Sequence, residues 1–408
     1  MCGIFGVLGD TPAIDEIMEG LSRLEYRGYD SSGIAVLNDK KIESYRAEGK
    51  LLNLKKIISK KTVHGKIGIG HTRWATHGVP SEKNAHPHTT DQVAIVHNGI
   101  IENFSDLKND LVQKGHLFKS QTDSEVIAHL LTDFLDSGFS PEESIQKTLP
   151  KLEGAYAIAV LFRNNNLLVG ARRGSPLAFG LNDKKFYLGS DSVALSPFTQ
   201  KVCFLEEGDS VFIRESSFVV YDIQYSKVER KISMTSHTGA GVGKGNFSHF
   251  MQKEIYEQPS VIGDSLSRYI DPLKKKINIP NININWKKIR KINLVACGTS
   301  YYACLTATYW LQKYSKISCI AELASEFRYK EFISSDDQVT IFISQSGETA
   351  DTLAALRYAK SKKARVLSLV NVEESSISRE SDFSIPIAAG PEIGVASTKA
   401  LTAQLSLL

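Results

Sequence analysis

Hydrophobic and polar positions alternate in two different ways along this chain. Through the first half, Val93–His97, Ala155–Phe162, Leu167–Ala171, Phe186–Ser190 and Ser210–Ile213 are short apolar runs bounded by Gly, Asn and Asp, and each is a predicted strand. Ile14, Ile17, Met18, Leu21 and Leu24 recur at helical spacing and predict a helix over Ile14–Tyr26. A second helix is predicted after Thr122, with Ser124 as its N-cap before Val126, Ile127, Leu130 and Leu131. Strands outnumber helices here, which predicts an α+β domain over residues 1–238. Thr238–Gly245 (TGAGVGKG) is dense in glycine and has no period, so it reads as a linker. Beyond it the pattern changes. Asn293–Cys297 is a buried-type strand ending in Gly-Thr-Ser, followed by a helix over Tyr301–Tyr314. Val339–Ser344 is a second, ending in Gln-Ser-Gly-Glu-Thr before a helix over Asp351–Lys362, and Val366–Val370 is a third. Strand, polar turn, helix, strand predicts an α/β doubly wound parallel sheet over residues 293–408, with ligands at the carboxyl ends of its strands. Residues 239–292 form a linker and connecting helix between the two. The final stretch, Ala400–Leu408, has helical spacing, with Leu401, Leu405 and Leu408 on one face and no cap or polar tail. The expectation is a chain cut inside an element.

Composition narrows the classes without choosing one. The chain has 408 residues, 42% hydrophobic and 23% charged, which excludes a disordered, collagen-like or coiled-coil protein. At roughly 150 residues per domain it has room for two or three domains. A net charge of +4 implies neither a nucleic-acid nor a membrane partner. Lys274–Lys291 (KKKINIPNININWKKIRK) is locally basic, but with aromatics nearly absent it reads as a solvated segment. No apolar run approaches the roughly 20 residues of a membrane span. The start, MCGIFGVLGD, lacks the basic n-region of a signal peptide, and Gly9 and Asp10 interrupt its apolar run, so a cytoplasmic location is expected. Five cysteines (Cys2, Cys203, Cys297, Cys304, Cys319) without a CxxC pair argue against a disulfide framework or structural zinc. His71, His77, His86 and His88 lack metal-ligand spacing and a completing Cys or carboxylate, and are expected to order loops by hydrogen bonding. No metal and no cofactor are implied.

Cys2 stands directly after the initiator methionine. Removal of Met1 would leave one residue carrying both a thiol, pKa about 8.5, and an α-amino group, pKa about 7.7–8.0, a base poised beside its own nucleophile. A lipid anchor does not fit, since no apolar leader precedes Cys2 and position two is not Gly. The strings MCGIFG, LEYRGYDSSG (Leu24–Gly33), HTRWATHG (His71–Gly78), NAHPH (Asn84–His88), HNGIIEN (His97–Asn103) and TDSEVIAH (Thr122–His129) follow in this order. Together they resemble the class II glutamine amidotransferase domain of the N-terminal-nucleophile hydrolases, with an αββα fold over residues 1–238.

The chemistry of amide hydrolysis gives each piece a purpose. Attack by Cys2 on the side-chain amide of glutamine places negative charge on oxygen, which needs preorganised donors. The resemblance assigns this to the Asn98 side chain and the Gly99 N–H, although an Asn-Gly pair alone would read as a turn. Arg73 suits the substrate carboxylate and Asp123 its ammonium group. Trp74 matches a loop that covers the site, and Thr76 and His77 match further glutamine contacts.

In the second half, CGTS (Cys297–Ser300) and SQSGET (Ser344–Thr349) each follow a strand and open a helix, where hydroxyls and backbone N–H groups form a phosphate cradle. With EIGVASTKA (Glu392–Ala400) they resemble the sugar isomerase (SIS) domain, and QKEIYEQP (Gln252–Pro259) extends the match. Cys304 and Cys319 read as core residues. The whole chain thus resembles the glutamine–fructose-6-phosphate aminotransferase (isomerising) family, the glucosamine-6-phosphate synthases of amino-sugar synthesis. This implies glutamine and fructose 6-phosphate as substrates, a homodimer, and a sugar-phosphate site of Cys297, Gly298, Thr299, Ser300, Ser344, Gln345, Ser346 and Thr349, with Val395 and Ser397 on the sugar. The family also carries a second SIS domain and a tail with a glutamate, a histidine and a lysine for ring opening and isomerisation. These have no counterpart among the 408 residues. The expectation is therefore a complete glutaminase half and an incomplete synthase half. The alternatives are a glutaminase-only or inactive fragment, an amidotransferase with another acceptor, and a phosphosugar-binding protein. The paired strand-end turns argue against the other acceptors, and the full set around Cys2 argues against a sensor.

Overall fold

The computed structural model describes residues 2–39, 41–75, 77–235, 244, 246–271, 274–279 and 282–408. They divide into two compact units, Met1–Gly239 and Ala240–Leu408. No helix among the described residues is long and apolar enough to cross a membrane.

The first unit is a sandwich of two antiparallel sheets. One has eight strands in the spatial order Ile232–Met234, Lys201–Phe204, Ala178–Asn182, Lys185–Gly189, Gly3–Leu8, Ile67–Arg73, Ser31–Asn38 and Lys41–Glu48. The other has seven, in the order Lys227–Val228, Ser217–Tyr221, Ser210–Arg214, Leu168–Arg173, Gly154–Phe162, Val93–Ile101 and His88–Thr89. Side chains alternate across a strand, and here both faces are apolar. Ile4 and Leu8 of the first strand enter the core between the sheets, with Ala94 and Val96 from the facing sheet. Phe5 and Val7 point the opposite way, against Ile17 and Leu21 of the Ile14–Ser22 helix and Leu51 and Leu54 of Leu51–Ile58. Val93 and Ile95 likewise meet the helices Phe104–Gln113, Glu125–Asp136 and Pro141–Thr148. The result is the expected αββα stack. A sheet buried on both faces explains why the IFGVL run lacks polar alternation.

Three local expectations change. The helix expected over Ile14–Tyr26 ends at Ser22, and a 3₁₀ turn takes Glu25–Arg27. This turn carries buried Arg27 to Asp191, with its Nε 3.0 Å from the Tyr26 hydroxyl. Ser124 does not cap the next helix. Its backbone is already helical, and its hydroxyl lies 2.8 Å from His97 Nδ1 instead. The strand expected to stop at His97 continues to Ile101, so Asn98 and Gly99 lie within a strand paired to Ala157 and Tyr156 rather than in a turn.

The second unit is a parallel sheet in the order Ser318–Leu323, Lys291–Ala296, Gln338–Ser344, Val366–Val370, Phe383–Pro386. The chain leaves Lys291–Ala296 through the Gly298–Ser315 helix to the edge strand, then crosses back to Gln338–Ser344 on the other side. The carboxyl ends of these two neighbouring strands form the point where winding reverses, where open α/β sheets bind ligands. Cys304 and Cys319 are buried in this core, and burial pushes both thiols up, Cys319 to about 11. The Phe250–Tyr269 helix also belongs to this unit. Buried Glu254 accepts the N–H groups of Ile393 and Gly394 at 2.5 and 3.0 Å, and Ser265 and Tyr269 bond the Ile387 and Pro386 carbonyls at 2.8 and 2.6 Å.

The Ile14–Ser22 helix packs closely on its sheet because Gly70 leaves room for it. A Cβ at Gly70 would lie 2.5 Å from Ile17 Cγ2 and 2.9 Å from Leu21 Cδ1. Gly70→Val is expected to cost about 1–3 kcal/mol through overpacking. Equilibrium urea unfolding followed by tryptophan fluorescence measures it, and an unchanged midpoint would contradict this packing.

Candidate active site

Cys2 owes its position to strand pairing. The Gly3–Leu8 strand lies antiparallel to Ile67–Arg73, with Gly3 opposite Thr72, which brings Cys2 to the end of the strand that delivers Arg73 and Trp74. The Trp74 N–H donates to Cys2 Sγ at 3.2 Å, and the thiol lies 3.5 Å from the Trp74 carbonyl oxygen. Burial pushes the Cys2 thiol up. The Trp74 amide, the chain's α-ammonium group and Arg73 pull the other way without reversing it. The resting group is a neutral thiol, and its use as a nucleophile requires a base.

Asn98 arrives from the facing sheet. Its Nδ2 donates to the Cys2 backbone carbonyl at 3.0 Å, and its Oδ1 lies 2.9 Å from His71 Nε2. Gly99 follows with φ of +133°, a conformation reserved for glycine, and a Cβ there would stand 1.9 Å from the Ala155 carbonyl oxygen. Arg73 is buried. Its Nη2 donates to the carbonyls of His77 and Gly78, the second at 3.3 Å, while the buried Nη1 has no partner among the described residues. Asp123 is also buried, with Oδ2 accepting the Ile101 N–H at 2.8 Å and Oδ1 3.4 Å from the Ser124 hydroxyl. Ile101 stands two residues past Gly99, so one strand carries both Asn98–Gly99 and the anchor for Asp123.

Trp74 is 40% exposed, and its ring meets Tyr29 edge-on at 5.3 Å. Asp30 accepts the Ala75 N–H and the Ser31 hydroxyl, fixing the start of the loop that follows. Thr76 lies outside the described residues. His77 contributes its carbonyl to Arg73 and packs its ring edge-on against Phe104 at 5.8 Å.

Behind Asn98 lie four buried histidines, His71, His86, His88 and His97. The His86 ring lies between His71, tilted at a centroid distance of 4.3 Å, and His88, edge-on at 4.5 Å, and His88 Nε2 bonds the Thr122 hydroxyl at 2.9 Å. Burial lowers all four pKa values, those of His71 and His88 to about 3. No group of three or more His, Cys, Asp or Glu among the described residues is arranged to hold a metal ion. Glu125 ties the preceding loop to this layer by accepting the Lys119 and Ser120 N–H groups at 2.8 and 2.7 Å.

In the second unit, Cys297 is the N-cap of the Gly298–Ser315 helix, with Gly298 at φ +58° and Thr299 and Ser300 in its first turn. Ser344 Oγ lies 3.0 Å from Thr349 Oγ1 and accepts the Gly347 N–H at 3.0 Å, and Ser346 Oγ accepts the Glu348 N–H at 3.1 Å. The Gln345 carbonyl accepts the Asn371 N–H at 3.2 Å. The two turns therefore sit side by side at the winding reversal. Val395 is exposed, and Ser397 donates to Glu392 at 2.9 Å. The bond joining this segment to the first turn comes from Gln404 Nε2 to Ser300 Oγ, 3.0 Å.

Residues 71–197 match the glutamine amidotransferase domain family and residues 286–408 the SIS domain family. The chain is 49% identical over 409 residues to a glutamine–fructose-6-phosphate aminotransferase (isomerising) of Zymomonas mobilis subsp. mobilis, covering 100% of this chain and 67% of that protein. It is 50% identical over 412 residues to the protein of that name from Mesorhizobium japonicum, with the same coverage. The chain belongs to the glutamine–fructose-6-phosphate aminotransferase family. It spans 67% of the length of these relatives. A solved structure titled as the allosteric regulatory enzyme of purine biosynthesis aligns with 98% of this chain and 94% of its own at a TM-score of 0.50 and 18% identity, a likeness of fold alone.

The sequence gives no sign of two groups, Asp30 beneath the Trp74 loop and Glu254 under the Glu392–Ala400 segment, and a third, His71, expected to order a loop, instead bonds Asn98. All three lie in strings quoted for the resemblance. Their partners are remote in sequence, so only the fold shows what they hold.

The buried histidines make an acid-labile unit. His71 and His88 have ordinary unfolded values near 6.5 and folded values of about 3. The unfolded chain therefore binds more protons between those limits, and stability falls as pH falls through that window, by about 1.4 kcal/mol per pH unit for each proton of difference. The urea midpoint is expected to be lower at pH 5 than at pH 7, with a smaller difference in His88→Gln. A midpoint independent of pH over that interval would contradict the burial of neutral imidazoles.

Proposed function

We propose that the first unit hydrolyses glutamine to glutamate and ammonia with Cys2 as nucleophile, and that the second holds fructose 6-phosphate, the acceptor this ammonia would convert to glucosamine 6-phosphate. Glutamine hydrolysis is the activity expected of these 408 residues alone. The observation that carries this reading is the Asn98 amide bonded to the carbonyl of Cys2 itself, with a thiol beside it. Once Met1 is removed, the α-amino group of Cys2 takes the thiol proton as sulfur attacks the side-chain carbonyl of glutamine. The oxygen takes up the electron pair, and the second Nδ2 proton of Asn98 and the Gly99 N–H receive its charge. The amino group returns the proton to the departing nitrogen, the C–N bond breaks, and ammonia leaves a thioester on Cys2. Water then adds, the thiol departs, and glutamate is released.

Recognition follows from the charges. Arg73, whose Nη1 has no partner among the described residues, offers the N–H groups of that nitrogen to the substrate carboxylate. Asp123 Oδ1 receives the ammonium group, Trp74 covers the site, and Thr76 and His77 complete the glutamine pocket. In the second unit the Cys297–Ser300 and Ser344–Thr349 turns hold the sugar phosphate with hydroxyls and N–H groups, and Val395 and Ser397 meet the sugar. A cytoplasmic homodimer is the assembly this reading carries with it from the family resemblance.

Glutamate release from glutamine tests the first half. Cys2→Ala is expected to abolish it, and Asn98→Ala to lower kcat by roughly 10²–10³-fold. Release that persists in a folded Cys2→Ala protein would refute the proposal. For the second half, Thr349→Ala is expected to weaken fructose 6-phosphate binding by roughly tenfold or more, the loss of one hydrogen bond to a charged group. Calorimetric titration measures this, and unchanged affinity would exclude Thr349 from the cradle.

A further inference from the structure

A primary amide is nearly symmetric in shape but opposite in polarity at its two ends. If the Asn98 amide rotated by half a turn, Oδ1 would face the Cys2 carbonyl oxygen, and an acceptor would stand where a donor is needed. The bond from Nδ2 to Cys2 secures the nitrogen end of the amide and leaves the oxygen end to be held by another group. The oxygen end meets His71. His71 Nε2 lies 2.9 Å from Asn98 Oδ1 and 3.1 Å from the His97 carbonyl oxygen. A carbonyl oxygen only accepts, so the proton resides on Nε2, and the same proton is presented to Asn98 Oδ1.

We infer that His71 is a positioning residue for glutamine hydrolysis: its Nε2–H fixes the Asn98 amide with Nδ2 toward Cys2 and so keeps the oxyanion donor correctly aimed. The inference rests on the assignment of Asn98 to the oxyanion hole. Three further features fit it. His71 Nδ1 is buried with no partner among the described residues, as suits the unprotonated nitrogen of a neutral ring. The His86 ring, tilted against it at a centroid distance of 4.3 Å, packs on the imidazole and restrains it. Finally, His71 and Arg73 project from the same face of the Ile67–Arg73 strand, two residues apart, while Thr72 between them turns away to bond the Leu24 carbonyl at 3.3 Å. One strand thus supplies both the group that aims the oxyanion donor and the cation for the substrate carboxylate.

A double-mutant cycle on glutamate release separates this role from a structural one. His71→Leu is expected to lower kcat for glutamine by roughly 10²-fold, the scale of losing an oxyanion donor. KM for glutamine and the rate of Cys2 alkylation by iodoacetamide should stay within about twofold, because neither depends on the orientation of Asn98. His71→Gln, whose amide can donate from the same place, is expected to recover most of the loss. The decisive comparison is His71→Leu/Asn98→Ala, expected to be no slower than Asn98→Ala alone, since His71 acts only through that amide. His71→Met, which fills the site without a donor, repeats the cycle if the leucine variant unfolds. Multiplying effects, or an unimpaired His71→Leu beside a crippled Asn98→Ala, would overturn the inference. If Asn98→Ala were itself fully active, the oxyanion assignment would fail instead.

Discussion

The hydrogen bond from Asn98 to the Cys2 carbonyl is the constraint on which the site depends, because together with the His71 bonds to Asn98 and to the His97 carbonyl it ties two sheets that share no strand ladder among the described residues. Cys2 leads into a strand of one sheet and Asn98 ends the buried run of a strand in the other. Their approach is set by the apolar layer between the sheets, in which Ile4, Ile69, Ala94 and Val96 pack together. Packing of this density leaves little freedom at its margin. The Cys2 backbone carbonyl and the Asn98 amide, 96 residues apart, are thereby held within hydrogen-bonding reach.

The arrangement places several polar groups where water cannot reach them. Such groups are costly unless bonded, and the structure meets the cost unevenly. Asn98 and Asp123 are bonded, whereas Arg73 Nη1 is buried without a partner among the described residues, the nitrogen that the proposed reading gives to the substrate carboxylate. The histidine layer meets its cost by remaining neutral, which suits a site that must respond to charge developing on a substrate oxygen. A glycine at position 99, forced by its positive φ and by the Ala155 carbonyl, lets the backbone contribute beside the amide.

How much of this was legible depended on whether the information was local. Strings of residues around Cys2, Arg73, Asn98 and Asp123 carried the resemblance to the family to which the chain belongs, and the strand-end turns at Cys297 and Ser344 pointed to the parallel sheet. Where a tertiary partner competes with a local preference, the sequence misleads. Ser124 has the chemistry of a cap but bonds His97, and Asn98-Gly99 has the chemistry of a turn but lies in a strand paired on to Gly154. The 3₁₀ turn at Glu25–Arg27 follows from an ion pair with Asp191, distant in sequence. His71 is the clearest case. Its bonding to Asn98 becomes visible only when the two sheets are placed face to face.

The central claim is that this geometry makes Cys2 the one nucleophile aimed at the side-chain carbonyl of a bound glutamine. The most direct measurement is intact-protein and peptide mass spectrometry after exposure to a glutamine analogue whose side-chain amide is replaced by an electrophilic chloroketone, with and without excess glutamine. The account requires one adduct per chain, on Cys2, suppressed by glutamine. Labelling spread over the other cysteines, or labelling of Cys2 that glutamine does not suppress, would contradict it.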